Sequence, residues 1–243
     1  MKKSEINKIK TLGDAHAATL GPDAQQYWRE NADRIAQNLV VVGTLCASQR
    51  TERVLDIGPS YQTVLLKKMF PAIRVETMGW EDPRYRATPD TVHHALDLNC
   101  TAEPETCAVP EPVDLILFLE VIEHLHTSPR HVLRYLFRCL KPGGVLIVST
   151  PNAAFLRNRW RLLWGINPYE KIREDSGNPG HFREYTAAEL EVYCRETGFE
   201  VLETRIENLY RFGAGSGRFF SRLTQFMPAN FRHDLMVIVR RPA

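Results

Sequence analysis

The most regular feature of this chain is an alternation of apolar runs with amphipathic stretches. Four runs have the near-continuous hydrophobicity of buried strands: 53–58, 73–79, 113–120 and 145–150. Between them, apolar residues recur at the spacing of a helix, most clearly in 63–70 and 128–144. Fully apolar strands are typical of parallel sheets, because helices cover both sheet faces. The pattern therefore predicts an α/β fold.

The ends of the chain extend this pattern. Residues 1 to about 21 are polar and are expected to be frayed, while 22–49 favours a helix. A weak strand is predicted at 92–98, and a helix at 187–198 is followed by strands at 200–209 and 234–241. We expect an N-terminal helical extension over 1–49 and a single larger domain over 50–243.

The alternation is interrupted at 151–183, which we interpret as an inserted cap. It carries six Lys and Arg residues against three acids, and Leu156, Trp160, Leu163 and Trp164 form one helical stripe. The stripe could pack on the sheet edge, or its tryptophans could stack on a sugar or aromatic ring while arginines bind phosphate or carboxylate. Alternatively, residues 155–165 could rest on an anionic membrane.

Composition narrows the class of protein. The formal charge of +2 gives no reason to expect a nucleic-acid partner. Five scattered cysteines without a C-x-x-C pair argue against disulfides and suit a reducing cytoplasm. No run approaches the roughly 18 apolar residues that span a bilayer. We expect a cytoplasmic protein, and the sequence leaves its oligomeric state open.

The segment "VLDIGPSYQT" (54–63) joins the first strand to a turn that contains a single glycine, Gly58. It lacks the G-x-G-x-x-G of dinucleotide sites, and the chain has no P-loop motif. Asp56 would repel a pyrophosphate, so a cationic ligand suits this turn better. In open parallel sheets such a ligand lies beyond the carboxyl ends of the strands.

Three segments resemble motifs of the class I S-adenosylmethionine-dependent methyltransferases: "VLDIG", "VDLILFLEVIEHL" and "CLKPGGVLIVSTPN". The resemblance covers about 50–241 and implies a seven-stranded, mostly parallel Rossmann-like sheet with helices on both faces. "GHFREYTAAELEVYCRETGF" (180–199) is similar to a bacterial subgroup that includes ubiquinone-pathway-like and glycan-modifying O-methyltransferases.

The resemblance implies that S-adenosyl-L-methionine is bound by Asp56, Gly58, Ser60, Trp80, Glu81, Asp82, Asp97, Leu98 and Glu120. Asp56 would lie near its ammonium group, and Asp97 would accept from the adenine amine. Ser60 and Gln62 replace two family glycines, and a non-glycine residue at left-handed angles costs about 1–2 kcal/mol. Glu81 and Asp82 would replace the missing ribose-binding acid. We expect the loop to be altered but functional.

The candidate catalytic residues are His124 and His181, because methylation of a hydroxyl needs a base of near-neutral pKa. Glu120, Glu123, His124 and His181 also resemble the divalent-metal site of small-RNA 3′-terminal 2′-O-methyltransferases, an alternative that we do not favour.

The sequence thus predicts methylation, on oxygen, of a small or carrier-linked acceptor such as a sugar or glycan, a quinone-like compound or a secondary metabolite. The alternatives are the metal-assisted RNA enzyme and a non-catalytic binding protein that kept the methyltransferase fold.

Overall fold

The computed structural model describes residues 2–48, 50–86, 88–103, 105, 107–175, 179–210, 212 and 216–243. Its strands are β1 Arg53–Ile57, β2 Arg74–Gly79, β3 His93–Ala95, β4 Val113–Leu119, β5 Leu140–Pro151, β6 Glu200–Glu207 and β7 Asp234–Arg240. They form one seven-stranded sheet in the order β3-β2-β1-β4-β5-β7-β6. β1 to β5 run parallel, whereas β7 is antiparallel to β5 and β6. The predicted mostly parallel sheet is confirmed.

Helices cover both faces of the sheet. They are α1 Lys2–Ala17, α2 Pro22–Ser48, α3 Tyr61–Met69, α4 Pro129–Cys139, α5 Leu156–Leu163, α6 Ala187–Glu196 and α7 Ser216–Leu223. Successive side chains of a strand point to opposite faces. In β4, Leu115 and Leu117 therefore pack with α1, α2 and α3, while Ile116 and Phe118 pack with α4 and α6. This two-sided burial explains the uninterrupted apolar run of β4.

The prediction that the first 21 residues are frayed is wrong, because 2–17 form α1. Ile9 is buried against α2, and the indole N–H of Trp28 donates to Asp14 Oδ1 at 2.7 Å. A Cβ at Gly13 would lie 2.0 Å from the Trp28 ring, so only glycine permits this close packing. A few apolar contacts thus order a helix whose exposed side is polar.

The helix predicted over 128–144 ends earlier, at Cys139, and β5 begins at once. Leu140 pairs with Val113 of β4. The Arg241 guanidinium donates from Nη1 to the carbonyl oxygens of Phe137 (3.0 Å) and Leu140 (2.7 Å). These bonds satisfy carbonyl groups that a helix end leaves unpaired. Gly143 and Gly144, which the prediction placed at the end of this helix, therefore lie within the irregular start of β5.

The parallel strands end at one edge of the sheet, and this edge positions the candidate site. The loops after β1, β2, β3, β4 and β5 all begin there, as the strand registers require. Helix α2 lies across this edge, because Tyr61 Oη donates to Ala24 O (2.8 Å) and Arg34 pairs with Glu120. Among the described residues, no helix combines the length and apolar character needed to cross a bilayer.

Candidate active site

The loop after β1 is built around the buried carboxylate of Asp56. Its oxygens accept hydrogen bonds from Thr63 Oγ1 (2.5 Å) and Gln62 Nε2 (3.1 Å). Burial raises the pKa of Asp56 to about 7, against the opposing effect of these two bonds. Because Asp56 has no exposed surface, its visible role is to shape the loop. Direct contact with an ammonium group stays a prediction.

The loop needs only one glycine. Gly58 adopts φ 74°, and its N–H donates to Met78 O (2.9 Å). A Cβ at Gly58 would lie 3.0 Å from Val121 Cγ2. Ser60, in contrast, is extended (φ −150°) and caps α3, which already contains Gln62. The strain cost predicted for the substituted glycine positions therefore does not arise at Ser60, since an extended backbone suits any residue.

The loop after β2 carries the acids predicted to bind ribose. Trp80 is largely exposed. Glu81 forms an ion pair with Arg86, and Asp82 forms one with Arg84 at 2.5 Å while capping the short helical turn that follows. Either acid would have to exchange its arginine for a sugar hydroxyl, so ribose binding by these residues stays a prediction.

The loop after β3 places Asp97 and Leu98 at the same edge. The exposed carboxylate of Asp97 accepts from the backbone and side-chain nitrogens of Asn99, both at 2.9 Å. Leu98 is buried in the core next to it. An acceptor beside an apolar surface matches the needs of an adenine ring with an exocyclic amine.

Glu120 has a strained backbone at the end of β4. Its φ of 57° makes it the sole described residue other than glycine with left-handed angles. Its N–H donates to Ser149 O (2.9 Å), and its Oε1 accepts from Ser149 Oγ (2.7 Å). Its other oxygen accepts from the guanidinium of Arg34. Backbone strain of this kind is concentrated at functional sites, which supports a ligand-binding role for Glu120.

Arg34 is a residue that sequence analysis missed. It is buried on α2, where its Nη2 donates to Asn31 Oδ1 (2.6 Å), and its guanidinium lies 5.8 Å from the Tyr210 ring centroid. With Glu120, it lines a small cleft of about 60 Å³. The sequence could have revealed it through three polar residues, Asn31, Arg34 and Asn38, that share the otherwise apolar face of α2.

His124 and His181 meet beside this edge. His124 ends the short turn after β4, and its ring centroid lies 4.8 Å from that of His181. Glu123 is buried between β5 and this turn, where it accepts from Thr150 Oγ1 (3.0 Å). One ligand atom from each of Glu123, His124 and His181 lies within 4.8 Å of the other two. Glu120 is not part of this group and pairs with Arg34 instead.

The two histidines differ in protonation. His124 Nδ1 lies 2.9 Å from Gly180 O, which can only accept, so Nδ1 carries the proton and Nε2 keeps its lone pair. Burial lowers the pKa of His124. Burial also lowers the pKa of His181, but a hydrogen bond to Glu184 and nearby carboxylate charges outweigh this and raise it overall. His124 therefore stays neutral, with Nε2 free to accept a proton, whereas His181 holds an added proton more readily.

Glu123 makes stability depend on pH. Burial, and then the charge of Glu120, raise the pKa of Glu123 from 4.5 to about 8. The folded state keeps this proton to higher pH than the unfolded chain, so its contribution is full below pH 4.5 and is lost as the pH rises towards 8. We expect Glu123→Gln to raise the free energy of unfolding at pH 8 by about 1–3 kcal/mol and to change it little at pH 5.

Chemical denaturation at both pH values measures this difference. The exposed Glu200→Gln serves as the control and should show no such pH dependence. Equal effects of Glu123→Gln at pH 5 and pH 8 would contradict the assignment.

Helix α5 of the inserted cap reaches the histidine pair through Glu184. Asn158 of α5 donates to Glu184 Oε2 (3.4 Å), and Glu184 Oε1 lies 3.5 Å from His181 Nδ1. The expectation that the apolar stripe of α5 packs on the sheet edge is wrong for Leu163 and Trp164, which are 79% and 67% exposed. The residue that the helix buries is instead the polar Asn158.

Known proteins share the fold of this chain and parts of its sequence. Residues 24–204 match the family model described as a methyltransferase domain. A Mycolicibacterium smegmatis protein named "Probable S-adenosylmethionine-dependent methyltransferase" is 38% identical over 92 residues, which are 38% of this chain and 30% of that protein. The ubiquinone biosynthesis O-methyltransferase of Pseudomonas aeruginosa is 34% identical over 103 residues, 42% of each chain. The matched stretch thus spans less than half the length of these relatives.

Solved structures share the fold at low identity. The N-methyltransferase NodS of Bradyrhizobium japonicum, in complex with S-adenosyl-L-homocysteine, has a TM-score of 0.53 at 16% identity and covers 97% of this chain and 99% of its own. A methyltransferase from Archaeoglobus fulgidus has a TM-score of 0.54 at 14% identity, with 88% and 99% covered.

Proposed function

Because this chain belongs to the methyltransferase domain family of S-adenosylmethionine-dependent enzymes, we propose that it methylates a hydroxyl group of a small or carrier-linked acceptor. The observation that carries the proposal is the neutral, Nδ1-protonated His124 at the carboxyl edge of the sheet. The O-methyltransferase name of the Pseudomonas relatives supports oxygen as the acceptor atom. Sugars, glycans, quinone-like compounds and secondary metabolites all offer such hydroxyls.

The residues at this edge suit the cofactor. Arg34 and Glu120 place a cation and an anion side by side, which match the carboxylate and ammonium groups of a methionine moiety. Gly58 keeps backbone atoms accessible where a side chain would meet Val121. Asp97 and Leu98 supply an acceptor and apolar surface for a base. This donor set supports S-adenosyl-L-methionine better than a pyrophosphate-containing dinucleotide.

The cofactor supplies an activated methyl group, so this chain has to align the acceptor, exclude water and remove a proton. His124 Nε2 would accept the hydroxyl proton while Gly180 O holds the ring in place. His181, with its raised pKa and its partner Glu184, would donate to an acceptor oxygen and orient it.

The metal-assisted alternative rests on the grouping of Glu123, His124 and His181. One feature opposes it: Glu120, the fourth residue of the predicted metal set, is held by Arg34.

We therefore expect transfer of labelled methyl groups from S-adenosylmethionine to a panel of catechols and sugars to continue unchanged in excess EDTA. Matched aromatic and sugar amines serve as controls and should receive little label. Loss of transfer in EDTA that Mg²⁺ restores would favour the metal-assisted alternative, and label on amines alone would overturn O-methylation.

The remaining expectations concern the setting of this activity. We propose a cytoplasmic enzyme organised as a helical extension over 1–49 and a methyltransferase domain over 50–243, with a cap at 151–183. We propose no nucleic-acid partner. The non-catalytic alternative rests on the altered glycine loop and the missing ribose-binding acid, and the unstrained backbone of Ser60 weakens the first of these.

A further inference from the structure

Large apolar side chains are exposed mainly in one region. Of the fifteen large apolar side chains that are exposed in the described part of the chain, eight lie in 160–166 and 219–226: Trp160, Leu162, Leu163, Trp164, Ile166, Phe219, Leu223 and Phe226. Leu163 and Phe226 are 79% and 88% exposed. Single exposed apolar residues are normal, but a concentration of this kind marks an interaction site.

These side chains belong to two helices that pack against each other. The Trp160 ring lies 6.0 Å from that of Trp164 and 6.5 Å from that of Phe220 on α7. Arg157 Nε donates to Ser216 Oγ (3.3 Å) across the same junction. Residues 153–169 and 216–232 therefore form one surface, which we call the aromatic-basic face.

The charge of this face has one sign. Its two stretches contain six arginines and no aspartate or glutamate: Arg157, Arg159, Arg161, Arg218, Arg222 and Arg232. Within the described residues, none of the six guanidinium groups forms an ion pair with a carboxylate. Burial, and then the charge of Arg161, lower the pKa of Arg157, and the charge of Glu184 outside this face opposes them. The whole chain, in contrast, has a formal net charge of only +2.

Such a face selects its partner by chemistry. A second copy of the chain would place arginines against arginines without an acid to pair them. A nucleic acid would satisfy the arginines but would leave Leu163 and Phe226 without apolar partners. An anionic bilayer satisfies both, because its headgroups attract arginine while tryptophan, phenylalanine and leucine enter the headgroup–acyl boundary.

We propose that the aromatic-basic face docks on a membrane surface that carries anionic phospholipids. The docked orientation brings the active site to the bilayer, since Asn158 of α5 is hydrogen-bonded to Glu184, the partner of His181. Resting on the proposed function, this assigns the acceptor to one class: hydroxyl compounds held in the membrane by a lipid or isoprenoid chain.

Sedimentation with lipid vesicles tests the docking. The full chain is mixed with vesicles of phosphatidylglycerol and phosphatidylcholine, or of phosphatidylcholine alone, at low and high salt. We expect binding to the anionic vesicles only, weakened by salt. Arg218→Gln/Arg222→Gln should weaken it by about fivefold for each arginine. Leu163→Ser/Trp164→Ser/Phe226→Ser should reduce it at least tenfold.

The matched control is Val192→Ser/Leu202→Ser, which removes exposed apolar side chains elsewhere and should bind like the wild type. Titration of each variant with S-adenosylmethionine shows whether the fold and cofactor site are intact. Normal cofactor binding by the wild-type chain without binding to the anionic vesicles would overturn the docking proposal alone. Salt-sensitive binding to single-stranded RNA without vesicle binding, or a dimer abolished by the triple serine variant, would also overturn it.

Discussion

The His124→Asn variant is expected to bind S-adenosylmethionine normally and to lose about 10²–10⁴-fold in kcat, the usual contribution of a general base. Asparagine can still donate to Gly180 O from its amide nitrogen, so the turn after β4 should keep its structure. It has no basic nitrogen in place of Nε2, and so it cannot accept the hydroxyl proton. Steady-state methyl transfer and cofactor titration measure the two effects separately.

The pH profile distinguishes this role from a structural one. Because burial lowers the pKa of His124, the acid limb of wild-type kcat should lie below pH 6.5. The variant should lack this limb. His126→Asn, at an exposed neighbouring position, should retain both rate and limb. Wild-type activity in His124→Asn would exclude His124 as the base.

The Arg34→Met variant is expected to lose about 3–5 kcal/mol of unfolding free energy, because Glu120 is left as an uncompensated, largely buried charge. S-adenosylmethionine affinity should fall by about 10–100-fold, the worth of one charge-assisted hydrogen bond. Thermal or chemical denaturation and calorimetry measure the two changes.

A double variant separates stability from binding. Arg34→Met/Glu120→Gln removes both charges and should recover much of the lost stability while cofactor binding stays weak. The exposed Arg29→Met on the same helix should change neither quantity. Recovery of cofactor affinity in the double variant would show that the pair serves stability alone.

The sheet was predictable because a central strand that is buried on both faces needs apolar residues at successive positions. β4 and β5 show this most clearly. The helices with a single apolar stripe were predictable in the same way, from the spacing of their apolar residues. α1 was not predictable in this way, because its order depends on a few contacts, such as Trp28 against Gly13, within a polar segment. The local apolar pattern therefore predicts most strands and helices, whereas tertiary contacts decide whether a largely polar segment such as α1 is helical.

The candidate site was predictable only where chemistry is local in sequence. Glu123 and His124 are adjacent, and a distinct later motif supplied His181, which the structure brings to them. The Arg34–Glu120 pair joins residues 86 positions apart, and one partner lies in a helix that resembled a mere extension. Ser60 shows the converse: a missing glycine indicated strain, but Ser60 caps α3 with an extended backbone, which carries no such strain.

Calorimetric titration of the wild-type chain with S-adenosylmethionine tests the central claim most directly, that the carboxyl edge between Gly58 and Glu120 binds this cofactor. We predict saturable one-site binding in the micromolar range that is weakened in Arg34→Met and unchanged in Arg29→Met. An absence of heat at high micromolar ligand with folded protein, or equal affinity in both variants, would contradict the account.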